Sequence, residues 1–232
     1  MTTRINYFEN DQDLVQVLGK KVLNVLNKSI EHKGHASLVV SGGSTPKGLF
    51  NYLSLQTFPW DKVSIILADD RCVSVHGENS NYHFLKTHLF KDYAAEAKFI
   101  PLYCDEDTHE QAAANATRRI NHLKKYDLVI LGMGTDGHTA SLFPQASNLA
   151  LALSDDSPDV VGIDPVTNDM KRVTQSLKRL LNTREIVFHL IGEEKNAILQ
   201  KVMQDTNKKD YPSSHVIHQT EVPVEVYIAQ HK

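Results

Sequence analysis

The sequence predicts an α/β fold of three layers, in which a mainly parallel sheet lies between two layers of helices. Short apolar segments rich in Val and Ile recur along the 232 residues and alternate with helix-like segments. Strands that are apolar throughout are typical of parallel sheets buried on both faces. No repeat, low-complexity tract or linker interrupts this pattern, so we expect residues 1–232 to form a single domain.

The first half of the chain opens with a predicted helix and then alternates strands with helices. Asn10 or Asp11 can cap a helix that runs to about His32, and Gly34 ends it. Its apolar residues recur at helical spacing. The other elements predicted here are strands at 37–40, 63–68 and 98–103, a helix that begins near Ser80 and a helix over 110–125.

The second half repeats the alternation and completes the predicted sheet. Strands are predicted at 127–131, 160–163, 184–192 and 224–229, with a helix from about Glu193 to Met203 between the last two. In sheets of this kind, ligands bind outside the carboxyl ends of the strands. The loops after Val40, Ala68 and Leu131 are therefore the candidate sites.

Composition and charge exclude several classes of function. The net charge of −3 and the absence of a basic stripe give no reason to expect a nucleic-acid partner. No apolar run approaches the ~20 residues of a membrane helix, and the first residues contain no apolar signal segment. We expect no membrane partner and a cytoplasmic location, in which Cys72 and Cys104 are reduced.

The histidines do not predict a metal site. The chain has 12 of them, but they are scattered, and no carboxylate or thiol accompanies them at ligand spacing. The sequence shows no long apolar stripe beyond those of the predicted elements that would have to be buried against a second copy. We therefore expect a monomer without a bound metal.

The segment SGGSTP at 41–46 follows the first predicted strand. Its glycines let the backbone approach a ligand, its hydroxyls can donate hydrogen bonds, and Pro46 suits the first turn of a helix. A strand, a Gly-Ser-Thr turn and a helix N-terminus together favour an anion site. The alternative is a tight turn that binds nothing. The Gly-Lys-Ser/Thr ending of a nucleotide loop is missing.

The segment ADDR at 68–71 follows the second strand. Two acids and an arginine are costly to bury unless they are paired or bind a ligand. Asp69, Asp70 and Arg71 fit a solvated turn as well as they fit an orienting carboxylate and an oxyanion or sugar contact.

The third loop lies in LVILGMGTDGHTASLFP at 128–144, and its glycines have the spacing of a dinucleotide fingerprint. Two features count against a dinucleotide. Pro144 follows Gly137 by only seven residues, which leaves no room for the long helix of that motif, and Asp136 would repel a pyrophosphate. A general base fits better, with His138 at the strand tip and Asp136 or a backbone carbonyl fixing its tautomer. A core histidine is the remaining alternative.

In this order, SGGSTP, DDR…ENSNYHFLKTHL and GMGTDGHTASLFP resemble the 6-phosphogluconolactonases of the pentose phosphate pathway, over about residues 37–197. These enzymes share a superfamily with glucosamine-6-phosphate deaminase/isomerase. The deaminases carry a Glu in the segment after their Asp-Gly-His, whereas this chain has Leu142 and Phe143 before Pro144. The family usually has Asp-Glu-Arg where this chain has Asp-Asp-Arg at 69–71.

The resemblance implies a Rossmann-like fold of the sugar-phosphate isomerase type and a small sugar-phosphate lactone as the partner. The implied reaction is hydrolysis of 6-phospho-D-glucono-1,5-lactone to 6-phosphogluconate in the oxidative branch of that pathway, without a metal or organic cofactor. The implied phosphate-binding residues are those of the glycine loop and two basic residues in matching motifs: Gly42, Gly43, Ser44, Thr45, Arg172 and Lys195.

The mechanism that the resemblance implies centres on His138, which would deprotonate a water that attacks the lactone carbonyl. Arg71 or loop N–H groups would stabilise the oxyanion, and Asp69 and Asp136 would orient His138 or hold sugar hydroxyls. The competing functions are an amino-sugar-phosphate isomerase or deaminase, a non-catalytic sugar-phosphate-binding protein and, third, a dinucleotide dehydrogenase.

Overall fold

A computed structural model describes residues 3–106, 108–166, 170–208 and 210–231. The strands are β1 (Arg4–Asn10), β2 (Ala36–Val40), β3 (Val63–Leu67), β4 (Asp69–Arg71), β5 (Lys98–Ile100), β6 (Leu128–Leu131), β7 (Val160–Ile163), β8 (Arg172–Gln175), β9 (Ile186–Ile191) and β10 (Val224–His231). The helices are α1 (Asp11–Lys33), α2 (Lys47–Ser54), α3 (Asn81–His88), α4 (His109–Ile120), α5 (Leu149–Leu153), α6 (Leu177–Leu181), α7 (Glu193–Gln204) and α8 (Ser214–Ile217), with 3₁₀ turns at Trp60–Lys62 and Asp92–Glu96.

The central sheet is parallel throughout and confirms the predicted fold class. Its seven strands lie in the order β1-β10-β9-β6-β2-β3-β5. From β2 the chain builds outward through β3 to β5, and from β6 it builds outward in the other direction through β9 to β10. The strand order therefore reverses between β2 and β6, which is where sheets of this type bind ligands.

The inner strands of this sheet are buried along their whole length because helices cover both of its faces. Every residue of β2 and of β6 is buried. Helix α1 packs on β2, β10 and β1, and α7 packs on β9 and β10. The buried stripe of α1 explains the helical spacing seen in the sequence, and it consists of Leu14, Val15, Leu18, Val22, Leu26 and Ile30. As predicted, Asn10 caps its start and Gly34 (φ 81°) ends it.

A second sheet has three antiparallel strands in the order β4-β8-β7. The sequence predicted a loop after Ala68 and left open whether residues 69–71 form a solvated turn or contact a ligand. The loop prediction was wrong, because these residues form β4, which pairs with β8 so that Arg71 lies opposite Arg172. The backbone N–H groups of Ala68 and Gln175 donate to Val40 and Ala68 respectively, which joins the small sheet to the carboxyl edge of β2.

Several other boundaries differ from the prediction. Strand β1 was not predicted, and strand β5 ends at Ile100 because Pro101 has no N–H to continue the ladder. Helix α4 ends at Ile120, short of the predicted residue 125, and the Arg179 guanidinium donates to the Leu123 carbonyl in the turn that follows. Among the described residues, no helix is both long and apolar enough to cross a membrane.

Candidate active site

A cleft of about 530 Å³ opens at the carboxyl ends of β2 and β6, at the reversal of strand order. Its volume is in the range typical of small-molecule sites. The structure brings all ten predicted site residues to this cleft: Gly42, Gly43, Ser44, Thr45, Asp69, Arg71, Asp136, His138, Arg172 and Lys195. The three candidate loops thus converge on one site, as the parallel sheet requires.

The loop after β6 folds tightly around the His138 side chain. A Cβ at Gly134 would lie 2.2 Å from His138 Nδ1, so only glycine leaves room for the ring. Gly137 adopts a left-handed φ of 77°, which favours glycine. No helix follows until Leu149, so the long helix of a dinucleotide site is absent from this part of the described chain. The glycines therefore shape the position of His138.

His138 and Asp136 form a close pair in which Nδ1 lies 2.5 Å from the carboxylate Oδ1. The His138 side chain is 29% exposed and that of Asp136 46%. Partial burial alone would raise the pKa of Asp136, but the hydrogen bond and the charge of His138 outweigh it and hold this pKa below its ordinary value. In the neutral ring, an ionised Asp136 accepts a hydrogen bond from Nδ1–H, which leaves Nε2 with a free electron pair.

The Phe143 ring contacts both His138 and Arg172. Its ring centroid lies 4.4 Å from that of His138, and the Arg172 guanidinium carbon lies 5.6 Å from the same centroid. Leu142 is fully buried. The segment in which the deaminases carry a glutamate is therefore apolar here and packs against the imidazole.

Three cations border the cleft without a carboxylate partner among the described residues: Arg71, Arg172 and Lys195. Arg172 is only 7% exposed, and its buried Nε has no hydrogen-bond partner. Burial lowers the pKa of Arg172 and that of Lys195, although nearby carboxylates partly oppose the shift. A buried cation without a partner is costly, so this cleft favours an anionic ligand.

The glycine loop offers polar groups to the same space. The backbone N–H of Ser41 donates to the Ile130 carbonyl (3.1 Å), which fixes the loop against β6. The hydroxyls of Ser44 and Thr45 make no hydrogen bond within the described chain. Pro46 directly precedes α2, whose first N–H groups are unpaired within the helix. These groups are all donors, as an anion requires.

Asn81, which the sequence interpretation did not single out, ties the first two loops together. Its Oδ1 accepts from Arg71 (2.6 Å), and its Nδ2 donates to the Asp69 carbonyl (2.9 Å). A Cβ at Gly42 would lie 2.0 Å from that same Oδ1, so the loop packs directly on the amide. Asp69 accepts a hydrogen bond from the Ser141 hydroxyl, which links it to the third loop.

Asp70 faces away from the cleft. It is 1% exposed, and its Oδ1 accepts the backbone N–H groups of Arg71 and Asn81, both at 2.8 Å. Burial raises the pKa of Asp70 to about 7, although the two hydrogen bonds oppose the shift. This carboxyl therefore supports the backbone behind the site.

His189 is a second cleft residue that sequence reasoning missed. It lies inside the apolar strand β9, where an imidazole is the one polar group; that contrast was the available signal. Within the described ranges, no group of three or more His, Cys, Asp or Glu side chains is arranged to hold a metal.

Comparison with known proteins places the chain in a family. Residues 9–225 match the family described as glucosamine-6-phosphate isomerases/6-phosphogluconolactonase. A 6-phosphogluconolactonase from Rhizobium meliloti (strain 1021) is 36% identical over 231 residues, which cover 99% of this chain and all of the relative. One from Neisseria meningitidis serogroup A is 35% identical over 227 residues, 96% of this chain and 97% of the relative.

Solved structures agree with these sequence matches. The crystal structure of a 6-phosphogluconolactonase from Shewanella baltica OS155 has a TM-score of 0.95 and 36% identity, covering 98% of this chain and 97% of the other. A monomeric glucosamine-6-phosphate deaminase has a TM-score of 0.79 at 17% identity, which shows a shared fold. The chain belongs to the glucosamine-6-phosphate isomerase/6-phosphogluconolactonase family.

Proposed function

We propose that this protein hydrolyses 6-phospho-D-glucono-1,5-lactone to 6-phosphogluconate, the lactone-opening step of the pentose phosphate pathway. One observation carries the proposal: a single cleft combines the His138–Asp136 pair with three cations that have no carboxylate partner among the described residues. The cations suit a phosphorylated substrate, and the pair suits a general base. The relatives described as 6-phosphogluconolactonases match over nearly their full length, which supports the same activity here.

The phosphate is proposed to bind on the glycine loop at 42–45. Its oxygens accept from loop N–H groups and hydroxyls, while Arg172 and Lys195 neutralise its charge. This contact holds the sugar by a group remote from the reacting carbonyl, so binding energy is used to orient the lactone.

His138 is proposed to act through Nε2. A water on the carbonyl side of the lactone gives a proton to Nε2 as its oxygen bonds to C1, and the carbonyl becomes a tetrahedral oxyanion. Arg71 or loop N–H groups stabilise that oxyanion, an effect worth roughly 10²–10³ in rate. The C1–O5 bond then breaks, and the ring oxygen takes the proton back from Nε2. Asp69 and Asp136 orient His138 or hold sugar hydroxyls.

The competing deaminase reaction needs a further acid–base carboxylate near the histidine. In the position concerned the chain has buried Leu142 and Phe143, and the Phe143 ring packs on the imidazole. An apolar side chain cannot carry a proton, so this packing favours hydrolysis over deamination.

The test compares freshly made 6-phosphogluconolactone hydrolysis with its spontaneous rate for wild type, His138→Ala and His122→Ala. His122 is exposed and does not border the cleft, so it serves as the matched control. We expect wild type and the control to accelerate hydrolysis equally and His138→Ala to lose roughly 10²–10⁴ in kcat. Unchanged kcat in His138→Ala would remove the general-base role.

The same protein preparations separate the other candidate functions. Ammonia release from glucosamine 6-phosphate would establish a deaminase. Ligand-induced stabilisation by 6-phosphogluconate without any turnover would indicate a sugar-phosphate-binding protein, and NADP binding in calorimetry would revive the dehydrogenase.

A further inference from the structure

His189 borders the cleft from the central strand β9. The preceding residue, Phe188, pairs with Leu131, so His189 is level with the first residue of the loop that carries His138. Its side chain is 2% exposed. An imidazole is thus buried at the carboxyl edge of the sheet, directly beneath the candidate site.

Neither ring nitrogen of His189 has a hydrogen-bond partner among the described residues. The nearest acid is Asp11, at the start of α1, whose Oδ1 lies 3.8 Å from Nε2. That oxygen is also buried and has no hydrogen-bond partner. Buried polar groups are nearly always hydrogen-bonded, so an unsatisfied imidazole facing a cleft points to a ligand that completes it.

The residues around His189 indicate which group of a ligand would contact it. The other oxygen of Asp11, Oδ2, would be 3.1 Å from a Cβ at Gly48, in the first turn of α2. That turn directly follows the glycine loop at 42–46. Lys195, four residues beyond the end of β9, borders the same cleft. His189 therefore lies among the elements proposed to bind the phosphate.

We propose that His189 binds the phosphoryl group of the substrate, donating from Nδ1 to a phosphoryl oxygen while Nε2 donates to Asp11. An anion at each nitrogen favours the doubly protonated ring, in which both nitrogens donate. The second proton comes from solvent as the ligand binds. The inference rests on the proposed function for the identity of the ligand, and on the unsatisfied imidazole for the contact.

The test measures binding of 6-phosphogluconate and of inorganic phosphate by calorimetry, in wild type, His189→Leu, His189→Asn and His122→Asn. His189→Leu removes both proposed hydrogen bonds and places an apolar side chain in the strand instead of the imidazole. His189→Asn can place an amide donor near the position of Nδ1. His122→Asn changes an exposed histidine outside the cleft.

We expect His189→Leu to weaken both ligands about tenfold or more, the loss of one charge-assisted hydrogen bond. His189→Asn should recover part of this affinity, and His122→Asn should bind as wild type does. In nitrogen-detected NMR of the imidazole rings, the His189 signal should become that of a doubly protonated ring when either ligand is added. In hydrolysis assays, KM should rise by a larger factor than kcat falls.

Equal affinities of wild type and His189→Leu would overturn the inference, and so would an imidazole signal that either ligand leaves unchanged. A wild type that binds phosphate through His189 but does not hydrolyse the lactone would uphold the contact and reject the proposed function. A wild type that hydrolyses the lactone but binds neither probe would reject the contact and uphold the proposed function, and one that does neither would reject both.

Discussion

Replacing Asp136 by asparagine tests whether this carboxylate fixes the state of His138. The change keeps the size of the side chain and the 2.5 Å contact to Nδ1, but it removes the negative charge. An asparagine can also turn its NH₂ group toward Nδ1, which would stabilise the tautomer with the proton on Nε2. In that tautomer Nε2 cannot accept a proton from water.

The size of the effect follows from the exposure of the pair. A hydrogen bond to a charged group contributes about 1.5–3 kcal/mol, or roughly 10- to 150-fold in rate. In a serine protease with a buried triad the corresponding change costs about 10⁴. Asp136 is 46% exposed, so water screens its charge and takes over part of its role. We therefore expect Asp136→Asn to lower kcat roughly 10- to 30-fold.

The assay is initial-rate hydrolysis of 6-phosphogluconolactone by wild type, Asp136→Asn and His138→Ala in parallel, with the spontaneous rate subtracted. An Asp136→Asn variant as active as wild type would show that the 2.5 Å contact does not set the tautomer. A variant as inactive as His138→Ala would show that His138 depends fully on the carboxylate and that water takes over none of its role. Only an intermediate loss agrees with an orienting role.

Three further predictions concern the groups around this pair. Gly42→Ala places a Cβ 2.0 Å from Asn81 Oδ1, so we expect at least a tenfold loss of kcat/KM. The control Gly132→Ala meets no atom within 4 Å and should preserve the fold in thermal melts. Equal kcat/KM for Gly42→Ala and wild type would contradict this expectation. Arg172→Met keeps an apolar stem but removes the charge, so KM should rise about tenfold or more, and an unaltered KM would show that Arg172 does not bind the phosphate. Asp70 has a pKa of about 7 against an ordinary 3.8, so between these values the folded state holds a proton that the unfolded state has lost, and the free energy of unfolding falls as pH rises. In urea unfolding, Asp70→Asn should lack this decline, so that its free energy of unfolding gains up to about 4 kcal/mol relative to that of wild type between about pH 4 and pH 8. A difference between variant and wild type that is the same at both pH values would refute the pKa shift.

The elements that could be predicted are those whose sequence pattern reflects burial on both faces. Strands β2, β3, β6 and β9 are mostly apolar because helices cover the sheet on each side. Strand β1 escapes this rule because it forms an edge of the sheet and is half exposed, so its residues, RINYFEN, are mostly polar. Strand β8 has the sequence RVTQ, whose polar side chains serve the site and internal hydrogen bonds. Neither strand carries the apolar signal.

The site could be predicted where its residues lie in loops after strands, because parallel strands bring those loops to one edge. This rule is enough to gather His138 and the glycine loop. It also gathers Arg71, which follows β3 although it lies in the short strand β4. It cannot find Asn81, the first residue of a helix, whose importance comes from contacts with Gly42 and Arg71 that only the fold creates. Nor can it find His189, since one imidazole in an apolar strand marks the residue as unusual but does not show which cavity it faces.

The Asp-Asp-Arg sequence at 69–71 shows how a departure from the family pattern is accommodated. The family usually has glutamate at the middle position, and here the shorter Asp70 points away from the cleft. Strand alternation explains this, because successive side chains of β4 face opposite sides and leave Asp69 and Arg71 toward the cleft. With its carboxylate closer to the backbone, Asp70 binds the N–H groups of Arg71 and Asn81 directly, at 2.8 Å each. Asp70 therefore supports the backbone at Arg71, while the side chains of this strand that face the cleft are those of Asp69 and Arg71.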